Sequence, residues 1–297
     1  MIDIASDRLA ATINPLGAEL TSLRDADGRE LMTDADPAFW TGHAPLLFPI
    51  VGALNAGGYR LDGKTYPMAQ HGLARRLPFR PVERTARRVR LRLTDSEATR
   101  AAYPFAFALD AEFAIQGAVL TMAVRITNGG DVDLPASFGY HPAFAWPLPY
   151  GQPRAAHRIL LDSAEPDPLC RLGGGLIVSE DRPGPLDGAM LALRDDLFAD
   201  DALIWRAARS RGCFYGAAQG PQLRLDWSEM PSLGIWTRPG AHFICIEPWD
   251  GHADPAGFAG EIWEKPGIRR IAPGESRPYS FCVTWMAQPR VAATPRI

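Results

Sequence analysis

The sequence predicts an all-β chain of antiparallel strands with a few short helices, and three observations carry that expectation. Apolar and polar residues alternate with period two in one segment after another. The 28 glycines and 27 prolines among 297 residues interrupt the chain too often for long helices. No long stretch holds the 3.6-residue period of an amphipathic helix.

The first alternating segment covers residues 9–14. Residues 84–92 are strongly basic, but Val89, Leu91 and Leu93 alternate with Arg88, Arg90 and Arg92, the pattern of a half-buried strand with a solvated face. A short helix is expected over 96–103, capped by Asp95 or Ser96 and stopped by Pro104. The clearest signal is 105–126, where Phe105, Phe107, Leu109, Phe113 and Ile115 alternate, Gln116-Gly117 breaks the pattern, and Leu120, Met122, Val124 and Ile126 resume it, which predicts a β-hairpin. Further strands are expected at 223–227, 233–237, 243–247 and 279–285, while 147–153 and 173–188 read as loops. No internal repeat and no Ser/Gly linker divides the chain, so a single domain over 1–297, built from two stacked sheets, is expected.

Composition bounds the function. With 46% hydrophobic and 22% charged residues the chain folds rather than staying disordered. A net charge of -3 argues against nucleic acid as a partner. The N-terminus carries Asp3 and Asp7 and no apolar targeting segment, and the longest apolar run, 44–54, is too short and too broken by proline and glycine to span a bilayer. A cytoplasmic protein without a membrane partner is expected. Cys170, Cys213, Cys245 and Cys282 are spaced by 43, 32 and 37 residues, so no CxxC pair offers zinc or redox chemistry, and reduced buried thiols are expected. Cys245 and Cys282 lie in alternating apolar segments and read as small hydrophobes.

Three of the six histidines stand beside turn residues: His71 before Gly72, His141 before Pro142 and His252 after Gly251. Gln70-His71-Gly72-Leu73-Ala74-Arg75 and Phe138-Gly139-Tyr140-His141-Pro142 surround a titratable group with aromatic or cationic neighbours, as binding loops at strand ends do. His43, His157 and His242 lack such surroundings and read as structural or solvated. Glu247 ends the apolar run from Phe243, where Pro248 is expected to stop the ladder; a partly desolvated carboxylate there is a proton acceptor, the alternative being an edge-strand Glu paired to an arginine. No His-x-His, HExxH, EF-hand, nucleophile-elbow, GxGxxG or GKS/T pattern occurs, so no metal and no cofactor is expected. What remains is acid–base chemistry by His and Glu on a neutral polar substrate, with tryptophans as stacking faces.

These segments resemble the aldose 1-epimerase (mutarotase) family, in its branch of small bacterial members. The resemblance rests on Ala44-Pro45-Leu46-Leu47-Phe48-Pro49-Ile50-Val51-Gly52, Gln70 to Arg75, Gly139-Tyr140-His141-Pro142-Ala143-Phe144, and Gly234-Ile235-Trp236-Thr237-Arg238-Pro239-Gly240 continuing through Cys245-Ile246-Glu247-Pro248-Trp249-Asp250-Gly251 to Ala253-Asp254-Pro255. It implies a galactose-mutarotase-like antiparallel β-supersandwich that binds a small-molecule sugar without metal or cofactor, as a monomer or homodimer, and interconverts the α and β anomers of an aldose. By position in the motifs it implies Glu247 as general base, His141 as general acid, His71 and Arg75 as sugar contacts, and Asp201 as a substrate-binding aspartate, with neighbouring Asp200 in competition for that register. Trp236, Trp249 and Trp40 could stack on a sugar or pack in the core. Where the family usually continues Val-Gly with arginine, this chain has Ala53, which removes one contact to sugar or phosphate. Two other functions fit the same resemblance less well: a non-catalytic sugar-binding or regulatory protein, and a carbohydrate-cleaving enzyme in which Asp201 or Asp250 would supply a second carboxylate.

Overall fold

The computed structural model describes residues 1–166 and 168–288; Asp167 and residues 289–297, the last part of the expected 1–297 span, lie outside the described residues. Two large sheets carry the molecule, and every ladder between their strands is antiparallel. The nine-stranded sheet runs, in spatial order, Met190–Ala192, His157–Leu161, Gly212–Ala217, Gln222–Ser228, Ser276–Met286, Val119–Asn128, Phe107–Gln116, Arg88–Thr94 and Arg80–Arg84. The eight-stranded sheet runs Leu176–Arg182, Leu169–Gly173, Leu203–Trp205, Ser232–Trp236, Phe243–Asp250, Phe138–Tyr140 and Leu46–Leu47, with Ala143–Ala145 added beside Phe243–Asp250.

The sheets stack through aromatic side chains. Phe138 lies on Tyr279 at 4.8 Å between ring centroids and Tyr140 on Phe281 at 5.5 Å, while the Tyr140 hydroxyl donates to the Met122 carbonyl at 2.9 Å. The expected hairpin is present as Phe107–Gln116 and Val119–Asn128, with Leu109, Phe113 and Ile115 and then Leu120, Met122, Val124 and Ile126 buried in the core between the sheets. Its solvated face meets the basic strand: Arg88 pairs with Glu112 at 2.6 Å and Arg92 with Asp110 at 2.7 Å, so the arginines form a cross-strand ion ladder. The expected helix is Glu97–Ala102, where Ser96 caps through the Thr99 amide and Thr99 returns a bond to Ser96.

Three expectations need correction. The strand of Glu247 does not end at Pro248 but runs to Asp250, and it is central rather than an edge. It tolerates proline because Ala143–Ala145 pairs with residues 243–245 and Phe138–Tyr140 with 249–250, so the residue lacking an N–H falls in the gap between two partners. Residues 173–188, read as a loop, contain most of a bulged hairpin, Leu169–Gly173 with Leu176–Arg182; its register shifts destroy the alternation that would have announced it. Cys282 is only half-buried, because Phe281 and Val283 take the core face and leave it opposite, whereas Cys170, Cys213 and Cys245 are buried. No helix among the described residues is long and apolar enough to cross a membrane.

Candidate active site

The strand Phe243–Asp250 is buried along its whole length because both faces are covered. Ile244 and Ile246 enter the core between the sheets; Phe243, Cys245, Glu247 and Trp249 point the other way, where Glu247 and Trp249 line a cavity of about 370 Å³ on the outer face of the eight-stranded sheet and Phe243 and Cys245 pack in a small apolar cluster beside it. His71, Arg75, His141, Asp201, Trp236, Glu247 and Trp249, seven residues singled out from sequence, all line it.

Trp249 owes its position to two glycines. A Cβ on Gly139 would sit 2.4 Å from Trp249 Cδ1, and one on Gly234 2.3 Å from Cη2, although these residues belong to the strands on opposite sides of the Trp249 strand. The indole therefore lies flat across three strands where side chains would otherwise stand, and forms an aromatic floor.

Beside that floor, His141 Nε2 approaches Glu247 Oε2 to 3.2 Å, with both side chains almost wholly shielded from water. No hydrogen bond joins the two: among the described residues Glu247 Oε2 has no hydrogen-bond partner, nor does His141 Nδ1. Two polar atoms thus stand adjacent, unspent on each other, at the wall of a cavity. Burial pushes the Glu247 carboxyl well above its ordinary range, with a smaller contribution from the Asp201 charge, and burial drives the His141 imidazole down to about 3. Among the described residues no arginine pairs with Glu247, so the salt-bridge alternative does not describe it there.

Trp40 stacks on the His141 ring at 4.9 Å and 28°, and Trp236 meets the same ring edge-on at 5.9 Å. These two tryptophans hold the imidazole, while Trp249 alone lies flat on the sheet. His71 accepts a hydrogen bond from the Gly52 amide at Nδ1, 3.1 Å, and burial together with the nearby His141 and Arg75 keeps it well below the usual histidine value. As a neutral ring accepting at Nδ1 it carries its proton on Nε2. Arg75 is fixed by a bond from Nη2 to the Gln70 carbonyl and retains a buried, unpartnered Nε.

Asp201, not Asp200, reaches the cavity. It is held in the left-handed region at φ 72 by its own Oδ1 accepting from the Ala202 amide, and by Arg182, which donates to the carbonyls of Asp200, Asp201 and Ala202. His43, His157, His242 and His252 do not line the cavity. His252 is buried behind it with Nδ1 against the Ala253 carbonyl, so standing beside Gly251 did not make it a site residue.

Sequence inspection missed the opposite wall. Val51, Leu172, Ala202, Ile204 and Ala253 line the cavity and belong, with Trp249, to a hydrophobic cluster separate from the main core. Arg238 stands exposed at the rim. Leu172 comes from the unrecognised hairpin, whose turn also brings Gly175 to the cavity, and no local signal marks either.

Antiparallel sheets stacked in this order, with a buried imidazole and carboxylate over an aromatic floor, define a galactose-mutarotase-like β-sandwich with a concave small-molecule site. The chain belongs to the aldose 1-epimerase family, whose model matches residues 1–160. It is 27% identical over 294 residues to the chromosomal protein LacX of Lactococcus lactis, covering 95% of this chain and 98% of that protein. Among solved structures it is similar to a galactose mutarotase related enzyme from Lactobacillus acidophilus, with TM-score 0.88, 28% identity and 99% of both chains covered. A galactose mutarotase-like protein from Lactobacillus casei matches with TM-score 0.87 and 30% identity over 96% of this chain and all of that one. Asp201, Trp236, Glu247 and Trp249 lie beyond the segment matched by the family model and line the same cavity as His71, Arg75 and His141.

Proposed function

We propose that this protein is a mutarotase that interconverts the α and β anomers of an aldose, with Glu247 as general base and His141 as general acid. The observation that carries this reading is the pair of adjacent, mutually unbonded polar atoms, His141 Nε2 and Glu247 Oε2, at the cavity wall. Anomer exchange needs one acceptor for the O1 proton and one donor for the ring oxygen. When the base takes the O1 proton, the C1=O double bond forms and the C1–O5 bond breaks; the acid's proton goes to O5. Rotation about C1–C2 and the reverse steps give the other anomer and restore both groups. Each general catalyst contributes roughly 10²- to 10⁴-fold.

The sugar's apolar face stacks on Trp249, while His71 Nε2–H, Arg75 and Asp201 hold its hydroxyls. Trp40, stacked on the His141 ring, favours an imidazolium there through its face, an effect of about 0.5–2 kcal/mol that works against desolvation. The pair then needs one proton between its members, and a hydroxyl donated to Glu247 draws that proton to His141.

A second assignment is favoured by the direction of both shifts. Since burial favours a protonated Glu247 and a neutral His141, the roles reverse, with His141 Nε2 accepting from O1 and the Glu247 carboxyl protonating O5. Either way the pair acts as one donor and one acceptor. Exchange spectroscopy of anomeric protons across free and phosphorylated hexoses and pentoses tests the activity: wild type should accelerate exchange of at least one sugar, and Glu247→Gln should lose at least a hundredfold. Full retention by Glu247→Gln on every accepted sugar would refute both assignments. Infrared difference spectra of wild type against that variant with sugar bound separate the two, because only the second keeps a protonated-carboxyl band at neutral pH once a sugar hydroxyl meets the pair. Saturable sugar binding without acceleration would identify a binding protein instead, and release of reducing ends from glycans a cleaving enzyme.

A further inference from the structure

Cys245 is the side chain beside the acid–base pair that anomer exchange does not use. Period-two alternation puts it on the same face of its strand as Glu247, and the strand pairing brings the segment carrying His141 alongside. One ligand atom from each of His141, Cys245 and Glu247 lies within 4.8 Å of the other two, and all three residues are buried.

From these positions we propose that His141, Cys245 and Glu247 form a site for a thiophilic divalent cation of the zinc class, which shuts the cavity by occupying its imidazole and carboxylate. The donor set is one that zinc favours, nitrogen, sulfur and oxygen together. Bonds of about 2.0–2.2 Å to imidazole nitrogen and carboxylate oxygen place those ligands about 3.4 Å apart on a tetrahedral ion, and His141 Nε2 and Glu247 Oε2 already stand 3.2 Å apart. Adding the sulfur requires Cys245 Sγ to come to about 3.6 Å from the nitrogen, a side-chain movement of about an ångström from the present grouping. Glu247 Oε2 has no competing hydrogen bond to surrender. The fourth coordination position faces the cavity, where water completes the shell. Binding forms the metal–sulfur bond and releases the thiol proton, and any proton on the carboxyl, to solvent.

The binding half of the proposal stands on geometry alone; the inhibitory half rests on the mutarotase reading. Titrating the purified protein with Cd²⁺ tests the first half through thiolate-to-metal charge-transfer absorbance. One equivalent should produce the band in wild type and in Cys282→Ala, and none should appear in Cys245→Ala or in Cys245→Ser, which preserves the side-chain volume. A band that survives both Cys245 substitutions, or no stoichiometric band in wild type, overturns the site. In the exchange assay, Zn²⁺ should inhibit wild type reversibly with a chelator, and both Cys245 variants should keep the metal-free rate but need at least tenfold more Zn²⁺. Equal sensitivity of the variants overturns the inhibitory role. A Cd²⁺ band in a protein that exchanges no aldose anomers refutes the mutarotase reading and leaves the metal site intact.

Discussion

Single residues set the chemistry of this cavity, and the pair His141 and Glu247 is the sharpest case. A histidine in water loses its proton near 6.5, but burial holds His141 at about 3. The acid limb of a kcat/KM profile for anomer exchange should therefore fall well below 6.5, and an acid limb at 6.5 would indicate that the free site is far better solvated than the cavity implies. Gly139 and Gly234 matter equally, though neither touches substrate chemistry. Gly139→Ala or Gly234→Ala drives a methyl into the Trp249 ring; the expected cost is about 1–3 kcal/mol of stability from overpacking, read by urea denaturation, together with a rise in KM as the aromatic floor tilts.

At the scale of elements, the connection after the Glu247 strand is held by a buried ion pair. Lys265 follows the short 3₁₀ turn Ile262–Glu264 and reaches back with Nζ to Asp254 Oδ1 and the His252 carbonyl, both at 2.8 Å, while the Asp254 carboxylate also accepts from the Asn55 amide. This clamp holds Ala253 against Gly52, whose amide orients His71. Lys265→Met leaves a buried, unpaired carboxylate and should cost about 3–5 kcal/mol, measured as a lower denaturation midpoint. The double variant Lys265→Met, Asp254→Leu should recover much of it, since replacing both charges removes the unpaired one. A single variant as stable as wild type would place the pair outside the folding energetics. The bulged hairpin Leu169–Gly173 with Leu176–Arg182 plays a different part, supplying Leu172 to the apolar wall.

Across the whole molecule, stability should depend on acid through histidines buried in neutral form. His252 drops from 6.5 to about 4 on burial in the folded state. The unfolded chain therefore binds a proton first as pH falls, so its contribution is intact above 6.5 and is lost progressively as pH falls to about 4. The loss is on the order of 3 kcal/mol. His252→Gln should flatten that part of the stability–pH curve in thermal melts, and an unchanged slope would assign the acid sensitivity to other groups. Glu247 acts in the opposite sense: its raised carboxyl pKa gives stability below 4.5 that is lost as pH rises through the folded-state value.

The sequence by itself determined the strand-rich class, the hairpin at 105–126, the capped helix after Ser96, and the segments that hold His71, His141 and Glu247. Each of those signals is local: an alternation, a cap, or a histidine set among turn residues. Only the tertiary structure decided what these residues do to one another. That Glu247 is a central, desolvated group rather than an edge carboxylate depends on partners about a hundred residues earlier in the chain. That Gly139 and Gly234 are glycines because Trp249 lies over them follows from strand register, which alternation cannot supply. The apolar wall and the approach of Cys245 to the acid–base pair arise the same way, because side-chain convergence across a sheet is a property of pairing and burial, not of spacing along the chain.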